Sequence, residues 1–340
     1  MNKLRVFEAF AGVGTQSMAL KRLGIPFEVV GIAEIDKFAI QSYMAIHGET
    51  NNYGDISKID PTELPDMDLF TYSFPCQDLS ISGRQRGMRE GTRSGLLYEC
   101  EKVISTKKPK YLLLENVKNL VGKKFKPDFD KWLEWLESQG YSNYWQVLNA
   151  KDYGVPQNRE RVFVVSILGE GAYEFPEPFP LDVKLKDILE DEFDEKYYYG
   201  DMKLTNLSKQ VSLGNISETD GMTCVNPRKI DGTQTYQQDR VFSPNGIYPA
   251  LAANLGRFNI IEKDGEEIPQ QDTLINYRIR RLTPLECWRL MGITDEDFYK
   301  AKDAGTSDSQ LYKQAGNAIV VDVLYYIFKN MLEEKQLELF

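Results

Sequence analysis

A single histidine, His47, serves the whole 340-residue chain, and its four cysteines, Cys76, Cys100, Cys224 and Cys287, form no C-x-x-C pair. Structural zinc needs clustered Cys and His ligands, so the pattern argues against zinc and against a disulfide framework. Cysteine-protease chemistry needs a Cys–His pair and would have only His47 to draw on. That residue, in "YMAIHGE" near an expected helix C-terminus, is assigned an ordinary capping or surface role. No apolar run approaches the ~20 residues that span a bilayer. The opening "MNKLRVFEAFAGVG" goes straight into a strand-like pattern with no signal-peptide cleavage site, so a cytoplasmic protein is expected. Positive charge is also short: 41 Lys and Arg face 51 Asp and Glu, a net −10. That balance disfavours a polyanionic partner only if charge is evenly spread, and it is not. Acid gathers in "LEDEFDE" (189–195) and "DGEE" (264–267), while Arg84, Arg86, Arg89 and Arg93 face Glu90 alone and "NYRIRR" (276–281) has no acid. Local basic surface on an acidic protein remains compatible with DNA.

The first half of the chain alternates short apolar runs with amphipathic stretches, which predicts βα units around a parallel sheet. Strands are expected at Arg5–Ala9, Glu28–Ala33, Asp68–Ser73, Tyr111–Leu114, Tyr144–Leu148 and Arg161–Ile167. Helices are expected at Gln16–Leu23, Lys37–His47, Leu96–Thr106 and Phe129–Gln139, with Gly24 and Gly140 where helix-ending glycines belong. The fold class is therefore α/β, doubly wound and Rossmann-like. Near residue 175 the three prolines of "YEFPEPFPLD" read as a linker, and short strand-like pieces rich in Asn, Gln and Gly follow. This gives a catalytic and cofactor-binding domain at 1–175, a smaller irregular domain and hinge at 176–304, and a C-terminal segment at 305–340. Within the last, "GNAIVVDVLYYIFKNMLEEK" reads as one apolar helix that packs back on the first domain.

"LRVFEAFAGVGTQSMAL" is a strand, a Gly-rich turn and a helix, and Gly12 and Gly14 allow close approach of a ligand to the helix N-terminus. The dinucleotide fingerprint wants a third glycine where Ser17 stands, and no phosphate-binding G-x-x-x-x-G-K loop is present. Alone, the glycines are equally a plain tight turn. Glu34, about 20 residues on, ends the next strand where such folds place an acid on ribose hydroxyls. Asp55 follows at a second strand-to-loop junction, where it could accept an adenine amino group. A nucleoside cofactor without a demanding phosphate site suggests S-adenosylmethionine. Cys76 lies at the carboxyl edge of an expected strand, the edge where ligands bind, whereas Cys100, Cys224 and Cys287 read as buried packing residues. With one histidine in the chain, the Cys76 thiolate would need nearby cations or amide dipoles. Glu115 and Asn116 end another apolar strand, and a carboxyl against an apolar wall can hold its proton near neutrality. Arg159 and Arg161, two residues apart, point to one face at a strand start; a solvated charge cluster is the plainer reading of the pair.

Together these residues resemble the C5-cytosine DNA methyltransferase family, with matches running in order as "FAGVG", "AEIDKFA", "GDI", "FPCQDLS", "LLLENV", "QNRERV", "RRLTPLECWRLMG" and "QLYKQAGNAIVVDV". Only about 175–275 is weakly covered. The resemblance implies that Cys76 is a nucleophile that adds to C6 of a cytosine, that Glu115 holds N3 and the exocyclic amine, and that Arg161 contacts O2. Arg159 would help to position the thiolate and Glu115. It also implies that Phe10, Gly12, Gly14, Glu34, Ile35, Asp55, Ile56, Pro75 and Asn317 bind S-adenosylmethionine. Residues 77–95 would form the loop that closes over DNA on Gly83, Gly87 and Gly91, with Gln77, Ser80, Arg84, Arg86, Arg89 and Arg93 as DNA contacts. Position 8 is Glu where the family usually has Asp, and Thr15 stands where a further glycine is common, departures that could shift cofactor affinity.

Target reading would fall to "TYQQDRVFSPNGIYPALAANLGRFN", where Gln237, Gln238, Arg240 and Arg257 suit base edges. "RRLTPLECWRLMG" would serve internal packing, with Arg280 and Arg281 near phosphate. The expected partner is double-stranded DNA, with a cognate restriction endonuclease acting on the same site, and the expected state is a monomer. Two other readings stay open on the sequence: a tRNA cytosine-C5 methyltransferase of similar fold, against which the recognition segment of about 100 residues argues, and a non-catalytic DNA-binding regulator, which would have no use for Cys76, Glu115, Arg159 and Arg161 together.

Overall fold

The computed structural model describes residues 3–74, 96–199, 217–227, 233–253, 258–263 and 277–332. The first apolar runs become β1 (Leu4–Ala9), β2 (Phe27–Ala33), β3 (Leu69–Tyr72) and β4 (Tyr111–Val117), each parallel to its neighbour in the order β2-β1-β3-β4. Beyond β4 lie β7 (Glu160–Leu168) and then β5 (Tyr141–Asn149). Here the parallel expectation fails, because β7 runs antiparallel to both β4 and β5. The chain returns from β5 to β7 through only a 3-10 turn (Ala150–Tyr153) and the short β6 (Gln157–Asn158). A parallel return needs a crossover of a dozen or more residues. The sheet is thus mixed, with one reversed strand.

Alternation along the strands divides the core. Val6, Leu69, Leu113 and Val165 face one side, and Phe7, Phe70, Leu112 and Val164 the other. The first side is covered by α1 (Thr15–Leu23) and the C-terminal helix α8 (Val321–Leu332), which are further joined by the Arg22–Asp322 ion pair at 2.7 Å. The second is covered by α3 (Leu96–Lys107) and α4 (Lys126–Ser138), through Leu97, Val103, Phe129 and Leu136. Helices on both faces make the sheet doubly wound. α2 (Lys37–His47) follows β2, its N-terminus capped by Asp36, whose carboxylate accepts from Phe38 N and Ala39 N.

The C-terminal region forms two helices rather than the one expected. α7 (Asp308–Asn317) stops at Gly316–Asn317, Ala318 is extended (φ −66°, ψ 153°), and α8 starts at Val321. The carbonyls of Gly316 and Ala318 accept from Arg159, so a side chain takes the bonds a continuing helix would supply.

A second sheet, β13-β12-β10-β9-β8, is built from Ser217–Thr219 (β8), Met222–Cys224 (β9), Val241–Phe242 (β10), Asn259–Lys263 (β12) and Tyr277–Arg281 (β13). β11 (Tyr248–Pro249) pairs with β6 and links the two regions. Phe242, Phe258, Ile260 and Leu282 join the same apolar cluster as Val6 and Leu324. After β13 come α5 (Pro284–Arg289) and α6 (Asp295–Asp303). Thr283 and Glu286 form a capping box at the start of α5. Glu286 also takes Arg280 in a bidentate pair at 2.7 and 2.8 Å, with both side chains fully buried. Arg280 is therefore not near phosphate: it is an internal bolt, with the Phe193 ring 4.1 Å from its guanidinium carbon. Cys100, Cys224 and Cys287 are free and buried, as packing residues should be.

Candidate active site

The order β2-β1-β3 makes the chain switch direction at β1, and a cleft of about 390 Å³ opens at the carboxyl ends of β1 to β4. Its first wall is the turn after β1. Phe10 adopts φ 56°, an uncommon conformation for a bulky side chain, and its N–H donates to Ala33 O at 2.7 Å. Gly14, at φ 78°, lies so close to the rings of His47 and Tyr43 that a Cβ there would collide with both. His47 is thus neither a cap nor a surface group. Burial holds its pKa below the usual value, so it is neutral, and Nε2–H donates to Val13 O at 3.0 Å. Under the same turn Glu8 is fully buried and accepts from Ser17 Oγ at 2.7 Å. Burial pushes its pKa up to about 7, against the opposing effect of the hydrogen bonds from Ser17.

Glu34, at the end of β2, ties this wall together. Its Oε2 accepts from Gly12 N at 2.9 Å, and its Oε1 accepts from Ile35 N and Asp36 N at 2.8 Å each. Ile35 projects at the rim, 72% exposed. Asp55 caps the 3-10 turn Ile56–Lys58 through Ser57 N and Ser57 Oγ, and those two bonds hold its carboxyl below the usual range. Ile56 is buried between them. Across the cleft, Lys313 of α7 reaches Asp36 at 2.6 Å. Burial raises the Asp36 pKa, but the Lys313 bond and charge and the helix N–H donors outweigh it and bring the pKa below its usual value. Asn317 lies on the same wall as Lys313.

The floor is Glu115 on β4 and Arg161 on β7, strands that lie side by side. Arg161 Nε is 3.1 Å from Glu115 Oε1, with the two side chains only 19% and 10% exposed. Desolvation raises the Glu115 pKa, and Arg161, Arg159 and the Ser73 hydroxyl pull it back without cancelling the rise. A carboxyl so placed can keep a proton and give it up on demand. Arg159 also lines the cleft but sends its guanidinium to backbone carbonyls. Asn116 Nδ2 donates to Phe74 O at 3.1 Å, fixing the end of the segment that leads to Cys76.

Phe10, Gly12, Glu34, Ile35, Asp55, Ile56, Glu115, Arg159, Arg161 and Asn317 therefore share one cleft, while Gly14 lies just behind it. Pro75, Cys76, Gln77, Ser80, Arg84, Arg86, Arg89, Arg93 and Arg257 lie outside the described residues. Gln237 and Gln238 are exposed on a 3-10 turn, and Arg240 is half-buried, its Nε donating to Thr235 O at 3.3 Å. Neither the Lys313–Asp36 pair nor Gln157 was singled out from the sequence; Gln157 is fully buried and donates to Leu290 O at 2.6 Å. The two-residue rhythm of Gln157, Arg159 and Arg161 was the available signal. Among the described residues there is no cluster of groups able to hold a metal and no helix long and apolar enough to cross a membrane.

Comparison with known proteins gives the family. A family model described as C-5 cytosine-specific DNA methylase matches residues 4–333. The type II methyltransferase M2.ScrFI of Lactococcus lactis subsp. cremoris is 38% identical over 98% of this chain and 100% of its own. The type II methyltransferase M.HhaI of Haemophilus parahaemolyticus is 34% identical over 96% and 94%, and the orphan methyltransferase M.SPRI of Bacillus phage SPR is 32% identical over 98% of each. Among solved structures, the S. pombe Dnmt2 methyltransferase superposes with a TM-score of 0.75 at 20% identity, covering 98% of this chain and 99% of its own, a likeness of fold.

Proposed function

The chain belongs to the C-5 cytosine-specific DNA methylase family and is accordingly a DNA cytosine-5 methyltransferase, and on that premise we propose that it uses S-adenosylmethionine to methylate a cytosine turned out of a short duplex target, through a bond between Cys76 and C6. The observation that carries this reading is the buried Glu115–Arg161 pair at the floor of a cleft whose other end bears Glu34 and Asp55.

The cleft suits this cofactor. Glu34 and Asp55, with the Asp36 charge met by Lys313, give one end an acidic lining that would repel a nucleotide phosphate and favour a cationic nucleoside. Three backbone donors use three of the roughly four acceptor positions on Glu34, which leaves one for a ribose hydroxyl. Phe10, Ile35 and Ile56 offer apolar contact to an adenine, Asp55 its amino group an acceptor, and Asn317 a partner for the amino-acid portion. When bound, S-adenosylmethionine supplies a methyl group activated by its sulfonium.

Cytosine C5 is too weak a nucleophile to accept that group unaided. Addition of the Cys76 thiolate to C6 places electron density on C5, while Glu115, whose pKa burial shifts upward, would give a proton to N3. Arg161 would hold both the Glu115 carboxyl and O2 of the base. Loss of the C5 proton, with water as the base, then expels Cys76, and N3 returns its proton to Glu115. A stacked cytosine cannot reach this floor, so flipping at a cost of a few kcal/mol precedes chemistry. We assign Gln77, Ser80, Arg84, Arg86, Arg89 and Arg93 to the DNA backbone and closing loop, and Gln237, Gln238, Arg240 and Arg257 to target reading. The type II relatives support a restriction–modification setting with a cognate endonuclease, and a cytoplasmic monomer is the simplest form.

Bisulfite sequencing of plasmid DNA tests this, using cells that lack cytosine methylation and express either this chain or Cys76→Ala. Protected cytosines within one short motif, seen only with the intact chain, are expected. Soluble protein that binds the cofactor yet protects no cytosine would refute the assignment.

A further inference from the structure

Leu251 follows β11 and takes no part in the cleft wall, yet its peptide is gripped at both ends by side chains leading into β7. Gln157 Oε1 accepts from Leu251 N at 3.1 Å, and Arg159 Nη1 donates to Leu251 O at 2.8 Å. The same guanidinium donates through Nη2 to Gly316 O and Ala318 O, at 3.0 Å each. Those carbonyls flank Asn317, and Gly316, Asn317 and Ala318 all belong to the cleft wall. Gln157 is 0% exposed and Arg159 3%. The two segments also touch directly, since a Cβ on Gly316 would collide with the backbone of Ala252 and Ala253. Two residues further along, Arg161 grips Glu115. One extended stretch, 157–161, thus holds the segment after β11, the turn of the C-terminal region and the carboxyl at the cleft floor.

We propose that Arg159 is a positioning residue that couples the cleft to the DNA-reading region. This rests on the cofactor and DNA reading above. A ligand that fixes the 316–318 turn fixes, through one guanidinium, the carbonyl of Leu251. DNA that fixes the segment after β11 acts back on the cleft by the same link, because coupling of two binding sites is reciprocal. A planar guanidinium is well suited to such a link, since its donors are rigidly related and a shift of either segment strains the bonds to the other. Lysine keeps the charge but offers one flexible ammonium for acceptors in three places.

The test is hydrogen exchange, read by mass spectrometry, on the full chain with and without S-adenosylhomocysteine, after calorimetry has established its binding. Peptides covering 247–253 should exchange about 5-fold or more slowly when the analogue is bound, although they do not line the cleft. In Arg159→Lys, the analogue should still bind while that ratio falls below about 2-fold. An Arg159 that served stability alone would lower the melting temperature and leave the ratio intact. Unchanged exchange at 247–253 in the wild-type complex overturns the proposal, and so does full protection in Arg159→Lys. Should that variant not fold, Gly316→Ala leaves the guanidinium in place, pushes Ala253 away and should weaken the protection in the same way. Absence of any analogue binding by the wild-type chain would instead bring down the cofactor reading, a separately visible failure.

Discussion

Glu115 is placed between opposing influences, and its usefulness depends on which prevails. Burial disfavours its charge, Arg161 and Arg159 favour it, and the net direction is upward. Glu115→Gln keeps the shape and a donor but cannot release a proton. Methyl transfer should fall by about 10²–10⁴-fold, the usual worth of a general acid, with S-adenosylhomocysteine affinity nearly unchanged; radiolabelled methyl incorporation and calorimetry read the two. Glu8 gives a separate effect of pH on stability. Its folded pKa of about 7 exceeds the ordinary 4.5, so the folded chain prefers the protonated form. That preference is fully present below pH 4.5 and lost as pH rises through about 7. Glu8→Gln, neutral at every pH, should therefore match the wild type near pH 4.5 and exceed it at pH 8, by at most about 3 kcal/mol. Thermal melts across that range decide the point, and an advantage that does not grow with pH would refute it.

At the scale of elements, the buried Arg280–Glu286 pair supplies the next prediction. Glu286→Ala removes the carboxylate that meets both guanidinium arms, along with half of the capping box. Destabilisation by about 3–5 kcal/mol is expected, because an uncompensated charge remains buried, and a chemical denaturation midpoint measures it. The strands and helices of the first half were readable, because hydrophobic period and glycine stops are local signals. The reversed β7 was not, since strand direction depends on what the intervening loop can span. The break between α7 and α8 was hidden for a related reason: its cause, Arg159, lies 157 residues from Gly316. The cleft divides the same way. Glu34 and Glu115 lie at or near strand ends and could be found by position; Asp55, expected at a strand-to-loop junction, instead caps the 3-10 turn Ile56–Lys58. The grip of Gln157 and Arg159 on Leu251 joins residues more than 90 apart in the chain.

For the whole molecule, the question is how a chain of net charge −10 holds a polyanion. Charge segregation answers it. The exposed acids of 187–195 and of α6 stand on elements that contribute nothing to the cleft, which is itself lined by Arg159 and Arg161 as well as by acids. Four of the arginines assigned to DNA fall within ten residues, Arg84 to Arg93. Each phosphate met by such a residue releases a counterion, so the logarithm of DNA affinity should fall with the logarithm of salt by about 0.9 per contact. Four contacts give a slope of about −3.6 from these residues, and Arg89→Ala should lessen the total by about 0.9. Binding of S-adenosylhomocysteine inside the cleft should hardly respond to the same salt, because a ligand held in a cleft is partly shielded from ions. Fluorescence anisotropy with a labelled duplex, run beside calorimetry with the analogue, separates the two. Equal salt slopes for wild type and Arg89→Ala would remove that arginine from the interface. A steep slope for the analogue as well would mean that net charge, rather than its distribution, governs what this acidic protein can bind.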